Sequence, residues 1–554
     1  VRLGGETNLS GFYPKDPNKN RCQIVGNRGN ALIYSLSGWS FTRTSSKVID
    51  DMDWGGVLRL NNSDLLESAG GVLSFDGSGH TVTINGFTNN NITISNRADF
   101  ARAALIMQHD SNDFVKYSGA SRADMLAANI SLSADVDISD TGLTGFMRDN
   151  DEGTFTGTLN GNSHKLTMTV GTENDKIVFH THNGLFAKTS GAKISNLTLV
   201  SNFNIVGDNV SGNSGALTID SVTADVTASP SGAYTNFVGG LVGYVAEATT
   251  EVTFTNSAVT ANLTYDNSTT KVHCTCLGGV IGMVGAVTST PAPVIKFDNV
   301  TVGGNIIDKH TGSNSRVGGL IAEVGAKDNS ASVVPNKISI TNVNINALTI
   351  NSSGKSNSGG FLGHNWYRVE IDLNSLNVNN SSLTVNNGTE LGGLVLSTTG
   401  YWSIKEVSFD GVKVKATKCI NFGMLASTLF GRDYDSYGFD YFKGENVNNY
   451  RSSRDATYFE LTKPNGYKIS QDTKINISPS YSYFDEIARC SIYYSSSASF
   501  MSNRQAIISI PAVTADGERL LYMDGKNCNT YQNQTTNNGA VWKNNSWARY
   551  YYNL

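Results

Sequence analysis

The chain has 554 residues, of which 16% are charged and 56 are glycine, with only 9 prolines and a formal net charge of −5. That balance argues against nucleic acid as a partner, since such binding needs a basic stripe, and no apolar run is long enough to span a bilayer. Ser, Thr and Asn fill the positions that Lys and Glu hold in a helical enzyme, the composition of a secreted all-β protein whose turns are polar without being charged.

The chain opens at Val1 and reads as a mature fragment or an excised piece of something longer. Residues 1–95 form a strand-rich N-terminal region or cap, in which the stretch from Gly70 to Ile84 alternates apolar and polar positions. Ser95 and Asn96 then offer a cap, and Ala98, Phe100, Ala101, Ala104, Leu105 and Ile106 give an apolar stripe near helical period. A second, shorter helix is predicted around 121–128.

Next come Asp135-Val136-Asp137-Ile138-Ser139, then Phe155-Thr156-Gly157-Thr158-Leu159-Asn160-Gly161, then Gly184-Leu185-Phe186, then Ile194-Ser195-Asn196-Leu197. This order of helix, strand, glycine-spaced turn and two strands resembles the GLUG-motif regions of large bacterial cell-surface and adhesin-type proteins. The resemblance covers roughly 94–426, with Asn160 where those proteins usually carry Asp and an insert at 171–182. It implies an extracellular β-solenoid used for adhesion or as a stalk, and it brings no catalytic residues with it.

From residue 237 to 425 one phrase recurs, two glycines followed by an apolar strand. It reads Gly239-Gly240-Leu241, Gly278-Gly279-Val280, Gly318-Gly319-Leu320, Gly359-Gly360-Phe361 and Gly392-Gly393-Leu394, with a degenerate copy at Phe422-Gly423-Met424-Leu425. The copies fall at intervals of roughly 30 to 40 residues, a length shared by solenoid coils and propeller blades. Alternating strands carrying a polar Asn or Asp lie between them, as in Val252 to Val259 and Ile295 to Val302. Apolar residues two apart share a strand face, so no single repeat can bury its dry face alone and the repeats must stack. The spacing tolerates insertions and no propeller signature accompanies it, which favours a parallel β-helix over residues 96–430. Leu241, Val280, Leu320, Phe361 and Leu394 should then form one column. The paired glycines suit a tight corner or a close approach of successive repeats.

From about residue 431 the repeat is lost and tyrosines concentrate, marking a separate Tyr-rich C-terminal domain, 431–554. There, 483–489 is predicted as a helical turn, and 506–511 and 519–522 as strands. The six cysteines are too sparse for a disulfide scaffold, although Cys490 and Cys528 are placed to pair within this part; the alternative is buried free thiols.

Candidate chemistry is thin. Asp149, Asp151 and Glu152 beside Arg148 are the carboxylates a β-helix glycosidase or lyase would need, or else a solvated turn. Asp298, Glu323, Glu370 and Asp372 do not recur at one repeat position, so no acidic groove is visible. Asp433, Asp435, Gly438 and Asp440 resemble half a calcium loop, with Tyr437 in place of a ligand, and Asp16, Asn18 and Asn20 form a similar fragment. His180 and His182 alternate on a strand and could hold zinc with a third ligand, or stand exposed in an insert. His273, Cys274 and Cys276 mimic a soft-metal cluster, against a reading as small core thiols. Gly212-Asn213-Ser214-Gly215 lacks the His and Asp partners of a serine nucleophile. Trp366, Trp402, Trp542 and Trp547 could stack on sugars. Asn-x-Ser/Thr acceptors are frequent, Asn196, Asn262 and Asn299 among them, and stacked side-chain amides explain them as well as glycans do. We assign no catalytic, cofactor-binding or metal-ligating residue. The chain is expected to be a non-catalytic structural or adhesive module that meets a host surface, a glycan or neighbouring copies of itself. The alternatives are a self-assembling fibre subunit and a polysaccharide-degrading β-helix enzyme.

Overall fold

The computed structural model describes most of residues 80–433 apart from several connecting segments, together with short strands at 73–75 and between 457 and 509. The chain is predominantly β, with long parallel sheets and few helices. It divides into two compact units, Val1–Gly212 and Asn213–Leu554.

In the first unit the strands Asn91–Ile94, Asn129–Leu132, Thr158–Asn160 and Ala192–Val206 run parallel, aligning Ile92, Ile130, Leu159 and Ile194. Helix α1, Arg97–Gln108, lies between the first two of these strands in sequence, and it starts where the sequence offers a cap. Asn96 Oδ1 accepts from the amides of Ala98 (2.9 Å) and Asp99 (3.0 Å), satisfying donors that the first turn leaves without a partner. Helix α2, Arg122–Leu126, starts with a capping box between Ser121 and Asp124. The apolar face of α1 buries Phe100 against Phe146, with ring centroids 4.0 Å apart, and Phe186 stacks on both Phe146 (5.2 Å) and Phe155 (4.1 Å). The two turn glycines have a steric cause. A Cβ on Gly157 would overlap the Ala128 carbonyl, and one on Gly161 would come within 2.6 Å of Leu197 Cα. The Gly70 to Ile84 stretch is different: Leu73–Phe75 and His80–Thr83 pair antiparallel, as a hairpin.

The second unit repeats one plan. Repeat 1 comprises Leu217–Ser231, Asn236–Gly239 and Val242–Val245; repeat 2, Glu251–Tyr265, Thr275–Gly278 and Ile281–Val284; repeat 3, Val294–Asp308, Ser315–Gly318 and Ile321–Val324. Repeat 4 has Asn336–Thr341, Val343–Ser352 and His364–Asn365, and repeats 5 and 6 run through 369–398 and 400–430 as shorter strands. The long strands pair in parallel with their counterparts in the next repeat, and the short ones do so through repeat 3, with isolated bridges at Gly318–Gly360 and Gly363–Val395 beyond it. One interior column runs Leu217, Val252, Ile295, Ile338, Ile371 and on to Trp402 by backbone register. A second aligns Ile219, Phe254, Phe297, Ile340 and Leu373, all buried, and the Phe254 and Phe297 rings stack at 5.0 Å. This is an architecture compatible with the stacked coils of a β-solenoid. Pairing continues beyond residue 430: Thr457–Leu461, Tyr467–Ile469 and Lys474–Ser478 lie in parallel register on repeat 6.

The long strands turn corners where the chain enters the left-handed region. Asn256 (φ 49°), Asn299 (φ 55°) and Asn342 (φ 51°) mark one corner, and Ala347 (φ 53°), Asn380 (φ 48°) and Gly411 (φ 62°) another. Asn tolerates this conformation better than other side-chain-bearing residues. Ser257, next to Asn256, accepts from the Val222 amide (3.2 Å) and donates to the Thr255 carbonyl (2.7 Å). Ser381, next to Asn380, makes the same two bonds with the Leu348 amide and the Asn379 carbonyl. The corner amides also stack between repeats, Asn299 Nδ2 donating to Asn256 Oδ1 at 2.9 Å and Asn196 Nδ2 to Asn160 Oδ1 at 3.2 Å. Replacing Asn299 by Gly should therefore cost a few tenths of a kcal/mol, whereas Asn299→Val should cost about 2 kcal/mol from left-handed strain. Urea midpoints of the two variants check the difference.

The segment expected as a helical turn at 483–489 is instead two strands, Phe484–Asp485 and Ala488–Ser491. Phe484 aligns with Phe422 and Asp485 with Gly423, so a local helical preference yields to the ladder beside it. The degenerate copy itself aligns with the phrase before it, Phe422 with Leu391 and Gly423 with Gly392.

Candidate functional site

The glycine pairs build the least ordinary part of the second unit. At each pair the chain bends between two short strands, and a Cβ on Gly278 would overlap the Ile281 carbonyl, as one on Gly318 would overlap that of Ile321. The second glycine of the first three pairs sits against a core side chain of the next repeat, Gly240 on Val259, Gly279 on Val302 and Gly319 on Leu348, while Gly360 faces the backbone of Gly392 and Leu394. The residues that follow line up as the sequence requires from Leu241 to Phe361, and the ladder then slips by one residue, the Phe361 amide donating to the Gly393 carbonyl (2.9 Å). The Leu241 amide donates to the Val280 carbonyl (3.0 Å), Val280 to Leu320 (3.0 Å), Leu320 to Phe361 (2.8 Å) and Leu362 to Leu394 (2.7 Å).

Two further columns flank the bend. One runs Phe237, Cys276, Arg316, and the other Tyr244, Met283, Glu323, His364. They meet side chain to side chain. Phe237 stacks on Tyr244 at 5.3 Å. Deeper along the columns the contact becomes ionic, with Arg316 Nε 3.8 Å from Glu323 Oε2 and both side chains at most 8% exposed. Cys276 Sγ donates to the same Glu323 oxygen at 3.3 Å, and Arg316 Nη1 donates to the Ser315 carbonyl at 3.2 Å. His364 is buried one repeat further on. A cation and an anion withdrawn from water hold their charges only through mutual attraction and hydrogen bonds, so this arrangement acts as an ionic clamp across the bend of repeat 3, tied to repeat 2 through the Cys276 thiol. A thiol donating to a carboxylate is engaged as a donor, and its thiolate is the form that would attack an electrophile.

Burial, and secondarily the charge of Arg316, push the His364 imidazole well below its ordinary value of 6.5. Folded, it stays neutral; the unfolded chain takes up a proton once pH drops below 6.5. Stability from this group is thus fully present above 6.5 and is progressively lost as pH falls below it. His364→Gln should flatten the decline in urea midpoint between pH 7 and pH 5. An identical decline in the variant would refute this assignment.

The structure places few of the other candidates. Asp149, Asp151, Glu152, His180, His182, His273, Cys274, Ser214, Trp366, Trp542, Trp547 and Cys528 lie outside the described residues, as do Asp16, Asn18, Asn20 and the calcium-loop fragment after Asp433. Cys276 is a buried strand residue whose thiol forms no disulfide among the described residues. Asp298 and Asp372 are exposed on strands, Glu370 lies 3.7 Å from Lys337, and Glu323 is inside the clamp, so these four do not converge. Among the described residues no group of three or more His, Cys, Asp or Glu could hold a metal ion. An open depression of about 620 Å³ beside Tyr117 and residues 119–124 offers Arg122 and Asp124, but Arg122 Nε donates to the Met107 carbonyl and Asp124 is occupied in the helix cap. Sequence reasoning missed the Arg316–Glu323 pair. The signal was there, because Phe237, Cys276 and Arg316 all stand two residues before a glycine pair, and Tyr244, Met283, Glu323 and His364 all stand four after its second glycine.

No family model matches the chain, and no curated protein or solved structure matches it.

Proposed function

We propose that this chain is an extracellular, non-catalytic β-solenoid, a stiff shaft that presents its outward strand faces and inter-strand loops to a host surface, a glycan or neighbouring copies. In this reading 96–430 is the solenoid with GLUG-like repeats, 1–95 a strand-rich region or cap, and 431–554 a separate Tyr-rich domain. The observation that carries it is the parallel register that links one strand of each repeat from 1 to 6, in which apolar columns and the ionic clamp are buried while Thr, Asn, Ser and Asp face outward. Side chains of that kind suit contact with hydroxyl-rich partners, and the described carboxylates do not gather as hydrolysis requires. The test applies the purified protein to a panel of immobilised polysaccharides and cell surfaces, with a reducing-sugar assay alongside and negative-stain imaging of the same sample. Retention on a surface by single rods with no sugar release supports the proposal. Release of reducing ends would overturn it in favour of an enzyme, and filaments growing from the rods would favour a fibre subunit.

A further inference from the structure

The outward face of the later repeats carries a charge pattern that the linear sequence hides. One outward lane, followed by backbone register, passes through Asn262, Asn305, Thr349 and Ser382 before reaching Lys413 and then Lys474. Four uncharged polar positions thus lead into two lysines on adjacent strands. In the neighbouring lane Asn351 and Thr384 lead to Lys415. Lys413 and Lys415 are exposed, two apart on one strand and so on one face. Adjacent strands stand about 4.8 Å apart, so the positions of Lys413 and Lys474 are separated by about that distance. Like charges directly opposite one another destabilise a sheet. Three other lysines of this unit are matched: Lys296 pairs with Glu251 at 2.7 Å, Lys337 with Glu370 at 3.7 Å, and Lys405 donates to Asn374 Oδ1 at 2.6 Å. Among the described residues neither Lys413 nor Lys415 has such a partner, and the nearest exposed carboxylate in sequence, Asp410, belongs to the preceding strand.

We propose that this lane is the docking surface for an acidic polysaccharide, whose hydroxyls bond the Asn, Thr and Ser positions and whose carboxylates or sulfates neutralise Lys413 and Lys415. Charge complementarity points to an anion, and the polar approach lane points to a sugar rather than a lipid surface, because a membrane partner would call for apolar side chains where Asn305, Thr349 and Ser382 stand. A straight lane with one polar position per strand suits an extended, repeating ligand. The inference rests on the adhesive reading above and gives it a ligand class.

The experiment compares the full chain with a Lys413→Glu/Lys415→Glu variant on immobilised polygalacturonate, heparin and dextran, with phosphatidylserine vesicles as a further arm. Lys296→Gln serves as the control, and thermal melts verify that every variant is folded. Wild type should bind polygalacturonate or heparin and ignore dextran, the charge reversal should weaken binding at least tenfold, and added salt should weaken it further. Polygalacturonate separates a carboxylated ligand from a sulfated one. Undiminished binding by the reversal variant, no binding to either polyanion, or a preference for the vesicles would overturn the proposal. Wild type that adheres to a surface while ignoring both polyanions would sink this ligand and leave the adhesive reading standing; sugar release would sink the adhesive reading itself.

Discussion

Gly278→Ala should unfold the central repeats, at a cost of at least about 4 kcal/mol. The reason is local and leaves little room for relaxation. A Cβ there would overlap the carbonyl oxygen of Ile281 and lie 2.6 Å from its carbonyl carbon and 2.9 Å from the Ala322 amide nitrogen. These are backbone atoms of the same bend and of the next repeat, and neither can retreat without breaking ladder hydrogen bonds. Register ties Gly278 to Gly239 on one side and Gly318 on the other, so the displacement would be handed to both neighbours. Gly191→Ala makes the contrast. With φ at +73° and nothing within 4 Å of the new Cβ, it should lose only about 1 kcal/mol to left-handed strain. Hydrogen exchange across Thr275–Gly278 and its partners reads the difference. Exchange in Gly278→Ala as slow as in the wild type would mean that the bend is not packed as described.

Those glycines also show how much was legible in the sequence. A paired glycine before an apolar strand announced both the period and the corner, because only a residue without a Cβ fits where backbone meets backbone. The column from Leu241 to Phe361 followed from the same spacing, whereas the one-residue slip before Leu394 did not. Helix α1 was legible for a different reason, its cap at Asn96 and its stripe from Ala98 to Ile106 being local signals. The left-handed corners at Asn256, Asn299 and Asn342 were visible only as a recurring polar residue, because whether an Asn stacks, turns or carries a glycan depends on what the next repeat places beside it. Phe484–Asp485 was misread for the same reason: a short segment with mixed propensity takes its structure from the ladder it joins. The buried ion pair was hidden more deeply. Arg316 and Glu323 are seven residues apart and each looks like a solvated strand charge, until the bend folds their two columns onto each other.

That pair gives the second large expectation. Glu323→Ala should destabilise repeats 2 to 4 by about 3 to 5 kcal/mol, because it removes the carboxylate standing 3.8 Å from a guanidinium only 5% exposed, together with the acceptor of the Cys276 thiol. The loss should come from the charge left in a dry place more than from the attraction forgone. Arg316→Met combined with Glu323→Leu tests that directly, since it withdraws both charges and returns apolar volume. It should fall within about 1 kcal/mol of the wild type, or exceed it. The two single variants and the double close a thermodynamic cycle whose coupling energy isolates the pair. Cys276→Ser, which keeps a donor toward Glu323, should be far milder than Glu323→Ala. If the double variant proved as unstable as Glu323→Ala, the buried charge would not be what sets the cost at this bend. Stability there would instead lie in the apolar columns from Leu217 to Ile371 and from Ile219 to Leu373, which run through the same repeats and carry no charge.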